Sequence, residues 1–284
     1  MFLPGLAWYT VFKYGPMSGL LMAFQDFSPW QGIMHSPFVG LRNFIDFVTG
    51  PYFGQLLRNT LLLNLYNIIF GFPAPIIFAL LLSEVRDGFF KRLVQSFSYM
   101  PHFISTVVIV GIFVNFLTMD GTVNTILASL VIERFNFMGS PEWFRTILTT
   151  LRIWASFGWN AIIYIAAIYA IDPSLYEAAM MDGAGRLQRI WHVTLPGIMP
   201  TVITLFLLRL GHIIQIGFET VYLMQNPMNM ATADVFATFV YRRGIIAMDW
   251  SYAAAVGFFE SMVGLIMVVV ANRIARRVSE TSLW

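Results

Sequence analysis

The sequence predicts an all-α integral membrane protein with six transmembrane helices and one short polar lever between the fourth and fifth. Three observations carry that prediction. Of 284 residues, 58% are hydrophobic and only 11% charged, and the mean hydropathy is +0.70, a balance that a water-solvated surface does not allow. The apolar residues are spread along the chain in several long stretches rather than gathered in one anchor. The stretches are separated by segments rich in Pro, Gly and charge.

A helix needs about 20 residues to cross a hydrocarbon core roughly 30 Å thick. On that measure the spans fall near 3–25, 57–83, 97–118, 146–170, 198–223 and 252–272 of a single transmembrane domain, 1–284. The start "MFLPGLAWYTVFKYG" reads as a first span and not as a signal peptide, because its charge follows the apolar run and no small-residue cleavage site appears. After it comes a loop punctuated by Pro29, Gly32, Pro37, Gly40, Gly50 and Pro51, with a short amphipathic piece near Leu41 to Val48. With both termini inside, the inner segments hold Arg86, Lys91, Arg92, Arg186, Arg189, Arg273, Arg276 and Arg277. The longer outer ones hold Arg42, Arg134, Arg242 and Arg243. This bias sets the expected orientation, and it brings Trp30, Trp143, Trp250 and Tyr252 to the outer interface.

Several function classes are disfavoured. A net charge of +2 offers no clustered basic surface for nucleic acid. Cys is absent, which removes disulfides and thiolate metal sites. The motifs H-E-x-x-H, G-x-S-x-G and G-x-x-x-x-G-K-[ST] are all missing, and His35, His102, His192 and His212 are scattered. Without a phosphate-binding loop this chain does not hydrolyse ATP, so energised work draws on a partner or on an ion gradient. Ionisable residues inside spans are functional candidates: Lys13, Arg152, Arg209, Glu219 and Glu260. Snorkelling of Lys13 and Arg152 and packing pairs between Arg209 and an acid are the alternative reading. An ion-coupled secondary transporter would use the same acids.

The polar lever is the loop 172–196, "DPSLYEAAMMDGAGRLQRIWHVTLP". Ser174 and Glu177 have the spacing of a capping box, Pro173 suits the entry to a helix, and Gly183 permits the positive φ that ends one. A second amphipathic turn runs through Leu187, Ile190 and Trp191, and Pro196 is expected to prevent smooth continuation into the fifth span. A helix of two turns does not persist alone in water, so it must dock against something.

These residues resemble the EAA loop of the permease subunits of ATP-binding-cassette importers, whose pattern is E-A-A, D-G-A, then I-x-x-x-x-L-P. Every position is met, by Glu177, Ala178, Ala179, Asp182, Gly183, Ala184, Ile190, Leu195 and Pro196. The stretches "VGLRNFIDF", "LLRNTLLLN" and "DGTVNTIL" resemble sugar-type members. "FKYGPMSGLLMAFQDF", "YMPHFIS", "GFETVYLMQNP" and "TSLW" resemble the subgroup serving oligosaccharides from complex polysaccharides, uronate and alginate types included. One departure is the start, where the basic tail usual in the family does not precede the first span.

The resemblance implies a type I importer permease fold in the bacterial cytoplasmic (inner) membrane, with both termini cytoplasmic and a coupling helix inside. It implies as partners a second homologous permease, two ATPase subunits that use ATP and Mg, an extracytoplasmic solute-binding protein and an oligosaccharide. No cofactor is implied for this chain. Sugar passing between the permeases would meet aromatic and hydrogen-bonding groups, for which Trp154, Trp159, Asn160, Tyr164, Gln215, Glu219 and Tyr222 are candidates. Arg209 joins them if the sugar is a uronate. Packing against lipid or neighbouring helices is the other reading of each.

Overall fold

The computed structural model describes residues 2–211 and 217–278, which are helical almost throughout. The extended pairing among the described residues is one isolated bridge between Gln25 and Phe38. Helix α1, Phe2–Tyr9, continues through a π turn, Thr10–Tyr14, and a 3-10 run, Gly15–Phe24. After it come α2 (Arg42–Val48), α3 (Phe53–Ser83), α4 (Phe89–Tyr99) and α5 (Thr106–Leu117). The long α6 (Pro141–Tyr169) leads to α7 (Pro173–Met181) and then α8 (Arg186–Leu210). The chain closes with α9 (Phe218–Met224), α10 (Phe236–Tyr241) and α11 (Trp250–Val278).

Among the described residues, five helices are long and apolar enough to cross a membrane: Phe53–Ser83, Thr106–Ser129, Pro141–Tyr169, Arg186–Leu210 and Trp250–Val270. The first expected span is helical but lies outside that set, because Lys13, Gly15, Pro16, Ser18 and Gly19 dilute its middle. The third expected span is interrupted at Met100–Phe103, where Pro101 ends α4, and Ser105 then caps α5 by accepting the Val108 amide at 3.4 Å. The stretch expected to form the fifth divides between α8 and a separate α9.

Three π turns share one cause. Thr10–Tyr14, Asn67–Gly71 and Ile190–Thr194 each stand two residues before a proline, namely Pro16, Pro73 and Pro196. A proline ring clashes with the carbonyl four residues earlier and offers no amide to it. Widening the preceding turn, so that Gly15 reaches Thr10, Phe72 reaches Asn67 and Leu195 reaches Ile190, moves that carbonyl aside and keeps the helix continuous. Pro196 therefore lies within the continuous α8 rather than stopping it.

Helix α6 organises the core. Its first half sets Phe144, Ile147, Leu148 and Leu151 against Leu63 of α3, Ile109 and Val110 of α5, and Val221 and Met224 of α9. Its second half sets Ala161, Tyr164, Ile165 and Ile168 against Ala79 and Leu82 of α3 and Ile198 of α8. A third cluster joins Phe47, Leu56, Phe236, Phe239 and Val256. Outside these cores large apolar side chains stand exposed, among them Phe97, Ile163 and Leu265, as the hydrocarbon of a bilayer or another subunit requires.

Beyond the start of α6 a buried polar scaffold fixes residues 225–242. Asn226 and Asn229 donate to the Met138 carbonyl at 2.7 and 3.1 Å, and Thr232 donates to that of Pro141 at 2.6 Å. Asn59 of α3 donates to the carbonyls of Ala231 and Asp234, both at 3.0 Å. Arg242 grips the Asp234 carboxylate with two donors at 3.1 and 2.6 Å. Each buried group is satisfied by a neighbour, which is what makes such a network rigid.

Helices α4 and α6 cross in close contact at Gly158, where an added Cβ would strike the Ser98 backbone. Gly158→Ala should lower the thermal stability of the solubilised protein by about 1–3 kcal/mol through overpacking, read as an earlier unfolding midpoint. An unchanged midpoint would mean that this crossing is loose.

Candidate functional site

The candidate coupling loop leaves the end of α6. Asp172 is the N-cap of α7, its Oδ1 accepting the Ser174 amide at 2.9 Å. The expected Ser174–Glu177 capping box is thus displaced by two residues, because Pro173 takes the first helical position, where its missing amide costs nothing. That hydrogen bond from Ser174 holds the Asp172 carboxyl below its usual value. At the other end Gly183 stands at φ +81°. Ala184 donates to the Ala179 carbonyl at 2.9 Å and Gly183 to that of Met180 at 3.0 Å, the paired bonds of a glycine-terminated helix. Gln188 Oε1 then accepts the Gly185 amide at 2.7 Å and starts the next turn.

None of the α7 side chains is buried. Glu177, Ala178 and Asp182 are exposed, Ala179, Ala184, Ile190 and Leu195 half-buried, and Pro196 exposed. Three side-chain links tie the loop and its surroundings to the spans. The Tyr176 hydroxyl meets Thr194 Oγ1 at 3.0 Å, joining α7 to the base of α8. Arg189 stands 4.0 Å from Glu84 at the end of α3. Lys91 of α4 donates to Asp87 at 2.8 Å and to the Tyr169 hydroxyl at 2.9 Å, which fastens the last turn of α6. Burial opposes the charge on Lys91, but Asp87 and Tyr169 outweigh it and hold the ammonium above its usual value; Lys91 in turn holds the Asp87 carboxyl down. A groove of about 770 Å³ runs between α7 and the turn from Glu84 to Lys91.

The expected pathway residues divide. Asn160, Tyr164 and Arg209 line one cavity of about 370 Å³ with Asn64 and Asn67. Arg209 donates to Asn67 Oδ1 at 2.6 Å, so the alternative of an Arg209–Glu pair gives way to an amide partner. Trp159 lies outside that lining and stacks on His102, with centroids 4.6 Å apart and planes 4° from parallel. Trp154 packs on Phe113 at 5.6 Å, and Tyr222 packs on Phe218 and Tyr241. Glu219 is exposed in the first turn of α9, away from the cavity. Gln215 lies outside the described residues. Arg152, a functional candidate for which snorkelling is the alternative reading, lies mid-helix in α6 and donates to the Gly217 carbonyl at 3.4 Å.

Sequence reasoning missed Asp172 as the cap, although Asp before Pro is a helix-start signal. It also missed Tyr176, Thr194, Glu84 and Tyr169, whose pairings bridge segments that no local spacing connects. Among the described residues no group of three or more His, Asp or Glu is placed to hold a metal.

Comparison with known proteins agrees with this architecture. Residues 71–280 match the family described as binding-protein-dependent transport system inner membrane component. Protein LplB of Bacillus subtilis is 46% identical over 285 residues, covering 100% of this chain and 90% of LplB. The polygalacturonan/rhamnogalacturonan transport system permease protein YteP of the same organism is likewise 46% identical, covering 100% of this chain and 89% of its own. A solved bacterial ABC transporter involved in the import of the acidic polysaccharide alginate has a chain 40% identical, with a TM-score of 0.92 and coverage of 98% and 94%. A second alginate transporter structure, in complex with an alginate pentasaccharide-bound periplasmic protein, matches at 39% identity and TM-score 0.92, covering 100% of this chain and 95% of its own. An all-helical chain with a capped polar loop between spans, matched over most of its length, belongs to the binding-protein-dependent transport system inner membrane component family, the membrane subunits of ABC transporters.

Proposed function

We propose that this chain is one permease subunit of an ATP-driven importer of polysaccharide-derived oligosaccharides, uronate and alginate types included. It forms half of a translocation pathway with a second homologous permease. An extracytoplasmic solute-binding protein delivers the sugar, and two ATPase subunits on the cytoplasmic side, where both termini lie, bind ATP and Mg. The relatives named for alginate and for polygalacturonan support the substrate class. The observation that carries the proposal is α7 itself, a nine-residue helix capped at both ends with no buried side chain. It has the form of a lever built to be held by another protein.

Mechanically, α7 sits in a cleft of an ATPase subunit and moves when the ATPase pair closes. Glu177, Ala178 and Ala179 contact the cleft, while Asp182, Gly183 and Ala184 keep the exit angle. Ile190, Leu195 and Pro196 lead the motion into α8. The bond from Tyr176 to Thr194 passes displacement directly to the base of α8. The link from Arg189 to Glu84 passes it to α3. Those two helices and α6 line the cavity holding Asn160, Tyr164 and Arg209, so movement of α7 reshapes the pathway.

Gly183→Val places a β-branched residue at φ +81°, a conformation costing L-residues about 1–2 kcal/mol. ATP-dependent uptake by the reconstituted importer should fall roughly 5–30-fold, with the spans still folded. Glu177→Ala should lower uptake in the same direction. Full uptake in both variants would sink the lever. The cap sets a pH dependence: because the folded Asp172 carboxyl lies below the usual 3.8, its stabilisation is complete above that value and decays as pH falls through the lowered one. Amide protection in residues 174–181, corrected for intrinsic exchange, should drop in that acid window for the native chain, whereas Asp172→Asn should show no such step.

A further inference from the structure

Helix α4 has two unlike faces. One is pinned to α6: Lys91 near its start donates to the Tyr169 hydroxyl at 2.9 Å, and near its end the Ser98 backbone fills the space that Gly158 leaves open. That pinning fixes which way the other face looks. Phe89, Phe90, Leu93 and Phe97 stand on it, with Phe89 82% and Phe97 63% exposed. Phe89, Leu93 and Phe97 recur every four residues, so they form one row about 12 Å long. None of them lines the cavity between α3, α6 and α8.

The row starts at the level where the spans Phe53–Ser83 and Pro141–Tyr169 end, on the lever's side of the spans. Arg86, Asp87, Lys91 and Arg92 gather there. Lys91 takes Asp87 at 2.8 Å, and Arg189 takes Glu84, the next acid of the turn, at 4.0 Å. Arg86 and Arg92 are exposed, and among the described residues neither forms an ion pair. The three cations outweigh Asp87 and leave the turn positive. Beside them opens a cleft of about 410 Å³, lined by Asp87, Gly88, Lys91, Arg92, Gln95 and Tyr169. Lys and Arg near span ends also set orientation, but orientation needs neither a cleft nor an aromatic row that begins at its mouth.

We propose that the start of α4 binds an anionic phospholipid of the leaflet on the lever's side. Arg92 and Arg86 hold its phosphate at the cleft with Lys91 behind them, and an acyl chain lies along Phe89, Leu93 and Phe97. A guanidinium fork matches a phosphate with two parallel donors, and a basic pocket between helices at the end of their spans is the form in which anionic headgroups are held. The exposed rings take hydrocarbon at no cost, whereas a protein covering the same row would also have to supply acids for both arginines. The site shares Lys91 and Tyr169 with the link that fastens the end of α6, which puts the lipid beside the root of the lever.

The test uses the assembled importer, both permeases and both ATPase subunits, in vesicles. The chain has no Cys, so with cysteine-free partners Ser96→Cys, on the exposed side of α4, carries a single bimane. Its quenching is compared between phosphatidylglycerol and phosphatidylcholine, each with dibrominated acyl chains and each diluted into the unbrominated choline lipid. The glycerol lipid should occupy the site at least about fivefold more readily. Arg86→Gln and Arg92→Gln together should remove most of that preference while leaving quenching by the choline lipid unchanged, and Arg92→Lys alone should keep part of it. Because the phosphate is in direct contact, most of the preference should persist at about 0.5 M NaCl. Equal quenching by the two lipids in the native importer overturns the proposal, as does a preference that survives the double substitution. A preference that vanishes in the salt marks diffuse surface charge and overturns the site. Quenching by neither lipid means that another subunit covers the row, and it overturns the proposal as well.

Discussion

A nine-residue helix with no buried side chain does not hold its shape by its own hydrogen bonds, since isolated helices below about 12–15 residues are marginal in water. The rest of the molecule is arranged around that constraint. Asp172 closes one end of α7 and Gly183 the other. Tyr176, Arg189 and Lys91 fasten the region to α8, α3 and the end of α6. What stays free is an apolar, methionine-bearing surface, with Met181 88% exposed. A bare apolar surface of this kind marks a place where another protein can pack.

The spans carry a related solution to a backbone problem. Prolines inside membrane helices would leave carbonyls without partners in a medium that offers no water. The π turns before Pro16, Pro73 and Pro196 keep each helix bonded through the insult. The last of these lies in the first turns of α8, so the proline that looks in sequence like a stop is carried within a continuous helix. The polar scaffold of Asn59, Asn229 and Asp234 is a second rigid body, fixing the opposite end of α6.

The helical membrane class was legible because apolar runs of membrane length leave a one-dimensional signature, and the loop was legible because its glycine and prolines act locally. Gly183 does adopt the positive φ that its position suggested. The cap was misread by two residues because Ser174 and Glu177 fit one local pattern while Asp172 and Pro173 fit another, and proline at the first helical position decided between them. Cavity residues were half legible: Asn160, Tyr164 and Arg209 meet, while Trp159 stacks elsewhere on His102. Side chains that converge from distant helices, such as Arg209 on Asn67 or Tyr176 on Thr194, depend on packing that no periodicity encodes.

The central claim is that α7 docks in an ATPase subunit, and the absence of native Cys allows a direct measurement. Met181→Cys places the sole thiol of the chain on the most exposed turn of the lever. Its labelling rate with a water-soluble maleimide should be high in the isolated permease pair and should fall at least about tenfold when the ATPase subunits bind. A thiol placed at exposed Val131, far along the chain from the lever, should show no change. Equal labelling of Met181→Cys with and without bound ATPase subunits would contradict the account.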